Sequence, residues 1–331
     1  MRRAFLCGDG YEHRRLWIER RLQLLASVCA VDLAAYAVMT NHLHVVIRPR
    51  PDRAQQWSAR QVAEIWVHIK FAFTSDAGDA SQRQVMIDRL ADDADFVETW
   101  RERFASASWF MKALKEPIAR AANKEDDCTG AFWEGRFKSI PLLDQAALVA
   151  CMAYVDLNPV RAGIAKTPES SRHTSVQHRI QQRKTRLQSQ KLHAAGRTTQ
   201  AHRMLERHGM RLQTGHQIPH LAPERDDQTD TPWLTPLTGI LGAGYPQFNL
   251  HAYLRLIDVT GRQIRHGKRG AIPADCADIL ERLQCDPEEW LATMARPKSL
   301  LGAVLGHVAA REQEVRRRCC QWLQVRCPLF A

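Results

Sequence analysis

Residues 36–48 read YAVMTNHLHVVIR, and this stretch decides the fold because two apolar runs meet at the short polar link Thr40–Asn41. Apolar runs of this length on either side of a polar turn are typical of a β-hairpin. Alternate side chains of a strand lie on the same face, so the second strand directs His42 and His44 to one side. The sequence therefore predicts a hairpin that presents two histidines together.

Two interpretations of this histidine pair are open at this point. A buried histidine is usually a hydrogen-bonded core residue. Two imidazoles on one strand face can instead share a metal ion, because neutral imidazole is the commonest metal-binding side chain. A metal held by His42 and His44 needs at least one further protein ligand, which has to come from another part of the chain.

A later segment, AYVDLNPVRAG at 153–163, contains residue types that can complete such a site. The apolar pattern predicts a helix that has Asp144 as its N-cap and ends at Pro159. Tyr154 and Asn158 are four residues apart and therefore share one helix face. The amide oxygen of Asn158 suits a hard cation such as Mg²⁺ or Mn²⁺, and a tyrosine beside a cation is a candidate nucleophile. Ordinary packing of the tyrosine in a helix is the alternative.

The other periodic segments predict a mixed α+β protein. Helices are predicted at 12–27, 59–74 and 108–122, and a strand is predicted at 132–142 (FWEGRFKSIPL). Ser108 is the predicted N-cap of the third of these helices. Pro117 is expected to end or kink that helix, since proline lacks the N–H that a helix interior requires.

The composition favours an anionic partner. The 331-residue chain carries a formal net charge of +11, which is typical of proteins that bind nucleic acid. No apolar stretch reaches the roughly 18 residues of a membrane-spanning helix, and the first residues lack the apolar run of a signal peptide. Nine scattered cysteines fit a reducing compartment. We therefore expect a cytoplasmic, nucleoid-associated protein without a membrane partner.

Changes in composition divide the chain into three predicted segments. They are a domain at 1–165 that contains the candidate site residues, a basic arm and linker at 166–236, and a small, mainly helical C-terminal domain at 237–331. We expect the arm to be a solvated basic helix or a flexible segment, and its charge to contact DNA phosphates. The C-terminal helices are predicted near 249–259, 274–284, 286–295 and 299–324.

A Lys/Arg-rich segment of the C-terminal domain, TGRQIRHGKRG at 260–270, offers a second candidate DNA contact. Arg262, Lys268 and Arg269 lie in it between glycines, an arrangement that lets several cations approach a phosphate backbone. An ordinary surface loop is the alternative interpretation.

Three segments taken together, AYAVMTNHLHVVI, GAFWEGRFKS and YVDLNPVRAGI, resemble the HUH single-tyrosine transposases in their order and spacing. Within that superfamily the chain is most similar to the REP-associated tyrosine transposases. The resemblance covers about residues 2–165, and 253–273 is similar to an extension found in one branch of the family. It implies an α+β fold with a ferredoxin-like antiparallel sheet.

The same resemblance implies a mechanism and a substrate. His42, His44 and Asn158 occupy the positions of the family's metal ligands, for Mg²⁺ or Mn²⁺. Tyr154 occupies the position of the nucleophile, which cuts single-stranded DNA near a hairpin and leaves a 5′-phosphotyrosine and a free 3′-OH. The protein is then a transposase-type endonuclease and strand transferase, acting as a monomer or a homodimer.

Supporting DNA contacts are predicted beside this site. Arg136 and Lys138 alternate on the predicted 132–142 strand and are candidates for backbone contacts, Trp133 for base stacking, and Arg161 for a phosphate clamp. A solvated strand face, a core tryptophan and an exposed arginine are the respective alternatives.

The resemblance also predicts a departure from the family. Its members normally begin with a strand before the segment RRAFLCG, and that strand pairs centrally in the sheet. Here Met1 stands immediately before RRAFLCG, and Thr40 stands where many members have proline. We therefore expect the first strand to be missing and the edge beside the histidine strand to be open or covered by another element. This favours a second function class, a catalytically impaired protein that binds DNA hairpins. Replication initiators and relaxases fit less well, because they usually have another ligand arrangement or paired tyrosines.

Overall fold

The structure, a computed structural model, describes residues 11–72, 79–207, 233–240 and 248–264, together with 313–314 and 316–317. The described part is an α+β protein in which helices surround a two-stranded antiparallel sheet. In chain order the elements are α1 (Glu12–Val28), β1 (Val31–Val38), β2 (Leu43–Pro49), α2 (Pro51–Gln55), α3 (Ala59–Phe71), α4 (Ala80–Ala91), α5 (Ala94–Phe104), α6 (Ala107–Glu125), α7 (Gln145–Arg161), a 3-10 turn (Pro168–Ser170), α8 (Ser175–Ala194), α9 (Thr198–Arg207), α10 (Leu237–Ile240) and α11 (Leu250–Ile264).

The predicted hairpin is confirmed. β1 and β2 pair antiparallel, with Ala37 opposite His44 and a bulge after Leu33. The turn between them is closed by a backbone hydrogen bond in which Met39 N donates to His42 O over 2.9 Å. A residue in register with Ala37 has its side chain on the same face as that alanine, so the imidazole of His44 emerges on the face where β1 carries only small side chains.

Each face of the hairpin is covered by a separate layer of helices. On one face Ala35, Ala37 and Val46 pack into a buried cluster with α7 and α11. On the other face Leu33 and Tyr36 pack with α1, α3 and α6. All eight residues of β1 are buried. A strand that is buried on both faces has apolar residues on both faces rather than in alternation, and in β1 the one exception is Asp32, which pairs with Arg48, Arg50 and Arg53.

Small residues explain how closely α7 approaches the sheet. The buried face of α7 is rich in alanine, namely Ala146, Ala147, Ala150 and Ala153, and it meets the alanines of β1. Short side chains on both surfaces let the helix backbone come near the strands. This proximity determines which residues of α7 can reach β2.

The outer edge of β1 is covered although no third strand lies beside it in the described part of the chain. The hydrogen bonds that cover this edge are Val38 N to His173 O (3.0 Å), Tyr36 N to Ser175 Oγ (3.1 Å), Thr235 N to Leu33 O (2.9 Å) and Arg179 Nη2 to Ala34 O (3.0 Å). The start of α8 and the residues before α10 therefore satisfy the strand's free backbone groups.

The outer edge of β2, unlike that of β1, is not covered by backbone hydrogen bonds within the described ranges. Within the described ranges, no backbone hydrogen bond joins residues 43–49 to any element besides β1. The sequence analysis places the family's first strand at this edge. The segment RRAFLCG itself lies outside the described residues.

Helix α6 differs from the prediction at both its N-cap, predicted at Ser108, and its proline, Pro117. Its N-cap is Ser106, whose side chain accepts a hydrogen bond from Trp109 N, so the assignment of Ser108 is wrong. The helix also continues past Pro117 to Glu125. A proline leaves the carbonyl four residues earlier without its helical donor, and here that carbonyl, of Ala113, accepts from the buried guanidinium of Arg21 over 3.0 Å. A tertiary contact thus compensates for the interruption.

Helix α7 confirms one of its two predicted boundaries. The side chain of Asp144 accepts from Ala147 N over 2.8 Å, which confirms the predicted N-cap. The predicted end at Pro159 is wrong, because the helix continues to Arg161. Pro159 is buried in the helix interface, and its carbonyl accepts from Ile164 N. The two additional residues carry the arginine that matters in the site below.

The predicted strand at 132–142 is also wrong, because the segment is irregular. Its aromatic side chains fold back onto α6 instead of alternating along a ladder. Trp133 Nε1 donates to Lys115 O over 2.9 Å, and Lys115 Nζ donates to Gly135 O over 3.0 Å. The second bond satisfies a backbone carbonyl of the segment that a strand would have paired with a neighbouring strand.

The start of the predicted basic arm belongs to the core. Ser175, Val176, Arg179 and Ile180 of α8 are buried against β1, so the expectation of a solvated segment is wrong for this part. The later positions of α8 are mostly exposed and basic. Most of the predicted linker lies outside the described residues, but Trp233 is buried in the core.

Helix α11 confirms the predicted helix near 249–259, and it packs directly on α7. A methyl group added at Gly261 would lie 3.1 Å from Leu157 Cδ2, so the two helices approach closely there. The predicted helices at 274–284 and 286–295 lie outside the described residues, as does all of 299–324 except four helical residues. No helix in the described ranges is long and apolar enough to cross a membrane.

Candidate active site

The two histidines lie at the turn end of the hairpin. His42 is exposed in the turn, His44 is half-buried in β2, and their ring centroids are 4.8 Å apart. The hairpin register sets this arrangement, since one residue separates the two side chains on the same face. The pair is therefore accessible from solvent on one side and supported by the core on the other.

Helix α7 brings its tyrosine and asparagine to this pair. Asn158 Nδ2 donates a hydrogen bond to His44 Nε2 over 3.1 Å. The rings of His44 and Tyr154 lie edge to face, with centroids 5.8 Å apart. Residues that are more than a hundred positions apart in the sequence thus meet at one point.

Desolvation favours the neutral form of both imidazoles, and it acts more strongly on the half-buried His44 than on the exposed His42. It lowers the pKa of His44 to about 4, with a smaller contribution from the neighbouring His42, and it lowers the pKa of His42 as well. His42 Nδ1 donates to Asn41 Oδ1 over 2.7 Å, which fixes the tautomer and leaves the Nε2 lone pair free. A histidine that binds a metal through one ring nitrogen usually donates the N–H of its other ring nitrogen to an oxygen acceptor in the same way. Asn41 was not among the predicted site residues, although its position next to His42 in an exposed turn was a usable signal.

These donors suit a divalent cation. His42 and His44 offer two imidazole nitrogens, and Asn158 offers an amide whose oxygen faces the same point after a half-turn of the carboxamide. No group of three or more His, Cys, Asp or Glu side chains in the described part of the chain could hold a metal.

Arg161 is the fifth residue to reach this point. Its guanidinium carbon lies 4.9 Å from the centroid of the Tyr154 ring, a cation–π distance. Its Nη1 atom is buried and has no hydrogen-bond partner among the described atoms. Burial also lowers the pKa of this guanidinium, although the phenol of Tyr154 opposes the shift. A buried cationic donor without a partner is costly, and such a group is well suited to receive an anion.

A buried hydrogen-bond network on the opposite side of α7 holds the helix in place. Asp156 is fully buried and lies between Tyr154 and Asn158 in the sequence. One carboxylate oxygen accepts from Ser175 Oγ (2.5 Å) and Val176 N (2.9 Å), and the other accepts from Tyr253 OH (2.5 Å). α7, α8 and α11 are thereby joined through one carboxylate. Sequence reasoning missed this role, and an aspartate within an otherwise apolar helix segment was the available signal.

The other predicted contact residues lie outside this group. Arg136 and Lys138 are exposed on the irregular segment, without a strand to make them alternate. Trp133 is half-buried against α6, in agreement with the core alternative. Arg262 lies in α11, but its side chain is outside the described part, and Lys268 and Arg269 lie outside the described residues.

Comparisons of the chain with models of protein families, with curated proteins and with solved structures found no match.

Proposed function

We propose that this protein is a metal-dependent endonuclease and strand transferase of the HUH single-tyrosine class, acting on single-stranded DNA near hairpins. The observation that carries the proposal is the convergence of His44, Tyr154 and Asn158 at one point. Their order and spacing resemble the family's motifs, and their residue types match a cation site beside a nucleophile. The substrate, the Mg²⁺ or Mn²⁺ cofactor and a monomeric or homodimeric state in the cytoplasm belong to the same proposal.

The reaction is an in-line displacement at phosphorus. The Tyr154 oxygen forms a bond to the scissile phosphorus and releases its proton to solvent, while the bond to the 3′ oxygen breaks and that oxygen takes up a proton. The products are a 5′-phosphotyrosine and a free 3′-OH. Because one phosphodiester replaces another, a second 3′-OH can reverse the step and join strands without ATP. A divalent cation bound by His42, His44 and Asn158 would polarise the phosphate as a Lewis acid.

Arg161 supports the step electrostatically. Its guanidinium lies against the phenol ring, and its unpartnered Nη1 is available to a phosphate oxygen. A donor that is already desolvated loses little by pairing with an anion, and a hydrogen bond between two charged groups is stronger than one between neutral groups.

We expect replacement of Arg161 by methionine to slow DNA cleavage about a hundredfold, the usual cost of removing one donor from a site of developing charge. The temperature of unfolding should stay the same or rise, because an apolar side chain replaces a buried cation with an orphaned N–H. Single-turnover cleavage and thermal unfolding are measured in parallel. Arg20→Met, at an exposed position of α1 to which no DNA contact is assigned, is the matched control. A variant that unfolds earlier and cleaves normally would assign Arg161 a structural role.

The second function class, a hairpin-binding protein without catalysis, has one specific observation in its favour. The outer edge of β2, the strand that carries His44, has no backbone partner other than β1 in the described ranges. Accurate positioning of metal ligands requires support from the elements around them, and an edge strand receives backbone support from one side. DNA binding would persist in this case, because the exposed cations of α8 (Arg183, Lys184 and Lys191) act independently of the site.

A covalent-adduct assay separates the two functions. The protein is incubated with an end-labelled DNA hairpin that has single-stranded flanks, in the presence of Mn²⁺, and is analysed on a denaturing gel. We expect a protein–DNA adduct with the wild type and none with Tyr154→Phe. Tyr11→Phe is the matched control, since Tyr11 stacks on Arg14 away from the site.

Three results of this assay contradict the catalytic proposal or part of it. If the wild type shifts the DNA on a native gel but forms no adduct, the protein is a binding protein. If Tyr154→Phe still forms the adduct, the nucleophile is another residue. If the adduct forms equally well in EDTA, the metal assignment is wrong.

A further inference from the structure

A cleft on the far side of the helical layer has no role in the proposed reaction. It lies between α3, α4 and the start of α5, and its volume is about 450 Å³. Its lining includes Trp66, Lys70, Met86, Arg89, Asp92 and Asp93. Clefts of this size commonly hold a small ligand or one unit of a polymer.

The indole of Trp66 forms a rigid aromatic wall of the cleft. Its ring is half-buried and contacts Phe96 (5.7 Å between centroids) and Trp100 (5.9 Å), both at steep interplanar angles. The ammonium of Lys70 lies 4.7 Å from the same ring. An aromatic surface that neighbouring rings hold in place loses little conformational freedom when a flat ligand stacks on it.

Charges of both signs surround this wall. Lys70 and Arg89 are exposed, and neither makes an ion pair within the described residues. Asp92 is also exposed, and Asp93 uses one oxygen to cap α5 through Phe96 N at 2.9 Å. The lining therefore offers a stacking face, cations for an anionic group and carboxylate oxygens for amino donors.

A nucleotide presents the complementary chemistry. A base has a flat π face and, in adenine, cytosine and guanine, amino groups that donate hydrogen bonds to carboxylates. Its phosphate pairs with lysine and arginine. Aliphatic or purely anionic ligands would leave the indole or the carboxylates without a partner.

We propose that this cleft binds one nucleotide of single-stranded DNA, with the base stacked on Trp66 and the adjacent phosphate between Lys70 and Arg89. The choice of DNA as the polymer rests on the proposed function. The cleft would then hold the strand that flanks the hairpin while another nucleotide occupies the candidate active site.

Crosslinking locates the bound strand directly. The full chain carrying Tyr154→Phe, which should bind without cutting, is irradiated with hairpin DNA whose single-stranded flank contains 5-iodouracil, and crosslinked peptides are identified by mass spectrometry. We expect crosslinks at Trp66 and their loss in Trp66→Leu.

Because Trp66 packs on other rings, the charge reversals Lys70→Glu and Arg89→Glu test the same site at exposed positions. Each should weaken single-strand affinity about tenfold. Arg20→Glu, exposed on α1, changes the net charge equally and is the control.

The outcomes separate this inference from the proposed function. Crosslinks that avoid the cleft, or charge reversals no more harmful than Arg20→Glu, would overturn the nucleotide site even if the wild type forms its covalent adduct. Crosslinks at Trp66 in a protein whose wild type forms no adduct would support the site and reject the catalytic proposal alone.

Discussion

Replacing Asp156 by alanine is expected to destabilise the fold by about 3–5 kcal/mol, because it leaves several buried donors without an acceptor at once. Ser175 Oγ, Val176 N and Tyr253 OH all donate to this carboxylate, and the buried Arg179 compensates its charge. Total stabilities of single domains are about 5–15 kcal/mol. The variant should therefore unfold at a much lower urea concentration than the wild type.

The matched control is Asp88→Ala, which removes a carboxylate that pairs with Arg60 at the surface. Exposed ion pairs contribute about 1 kcal/mol or less, so this variant should unfold close to the wild type. Equal effects of the two substitutions would show that the Asp156 network does not hold α7 in place.

Asp156→Asn tests the electrostatics of the same position. Burial raises the pKa of the Asp156 carboxyl, although hydrogen bonds from Ser175 and Tyr253 act against the shift. A carboxyl with a raised pKa in the folded state stabilises the fold most fully below its unfolded pKa, about 3.9, and this contribution is lost as the pH rises through the folded value. An asparagine does not titrate. We therefore expect the variant to gain stability relative to the wild type as the pH increases from about 4.

The measurement is the difference in unfolding free energy between wild type and Asp156→Asn in urea at several pH values. Other carboxyl groups contribute equally to both proteins, so the difference isolates this residue. A difference that does not change with pH, or that moves in favour of the wild type at higher pH, would contradict the assigned direction of the pKa shift.

The parts of the fold that short-range patterns determine were predictable. The hairpin, its register of alternate side chains and the N-cap at Asp144 follow from residues that lie close together in the chain. The shared helix face of Tyr154 and Asn158 follows from helical periodicity. The convergence of these elements was expected only from the family resemblance, because spacing within one segment does not position it against another.

Two of the wrong predictions concern segments whose structure depends on a contact with a residue far away in the sequence. Pro117 does not end α6 because Arg21 supplies a donor to the carbonyl that the proline leaves free. The start of α8 is buried, despite its polar composition, because its hydroxyl and guanidinium groups satisfy the free edge of β1. Such compensations depend on tertiary contacts, and a propensity or a composition does not contain them.

Replacing His44 by alanine is expected to lower the affinity for Mn²⁺ by at least about a hundredfold, since even the partners of metal ligands cost up to that much when they are removed. His44 is at the centre of the candidate site, because it contacts both Asn158 and the ring of Tyr154. Its loss should therefore abolish the covalent adduct as well. Electron paramagnetic resonance of Mn²⁺ measures binding without reference to activity, and His13→Ala, beside Glu125 on another surface, is the control.

Asn158 provides the complementary series. Asn158→Leu removes the third donor and should reduce Mn²⁺ affinity, whereas Asn158→Asp keeps an oxygen at that position, adds a negative charge and should maintain or raise it. This contrast distinguishes a ligand from a residue that only orients His44 by a hydrogen bond, because a carboxylate cannot donate the N–H that His44 Nε2 accepts. If Asn158→Asp binds Mn²⁺ as poorly as Asn158→Leu, the asparagine acts through the histidine and the metal has a different third ligand.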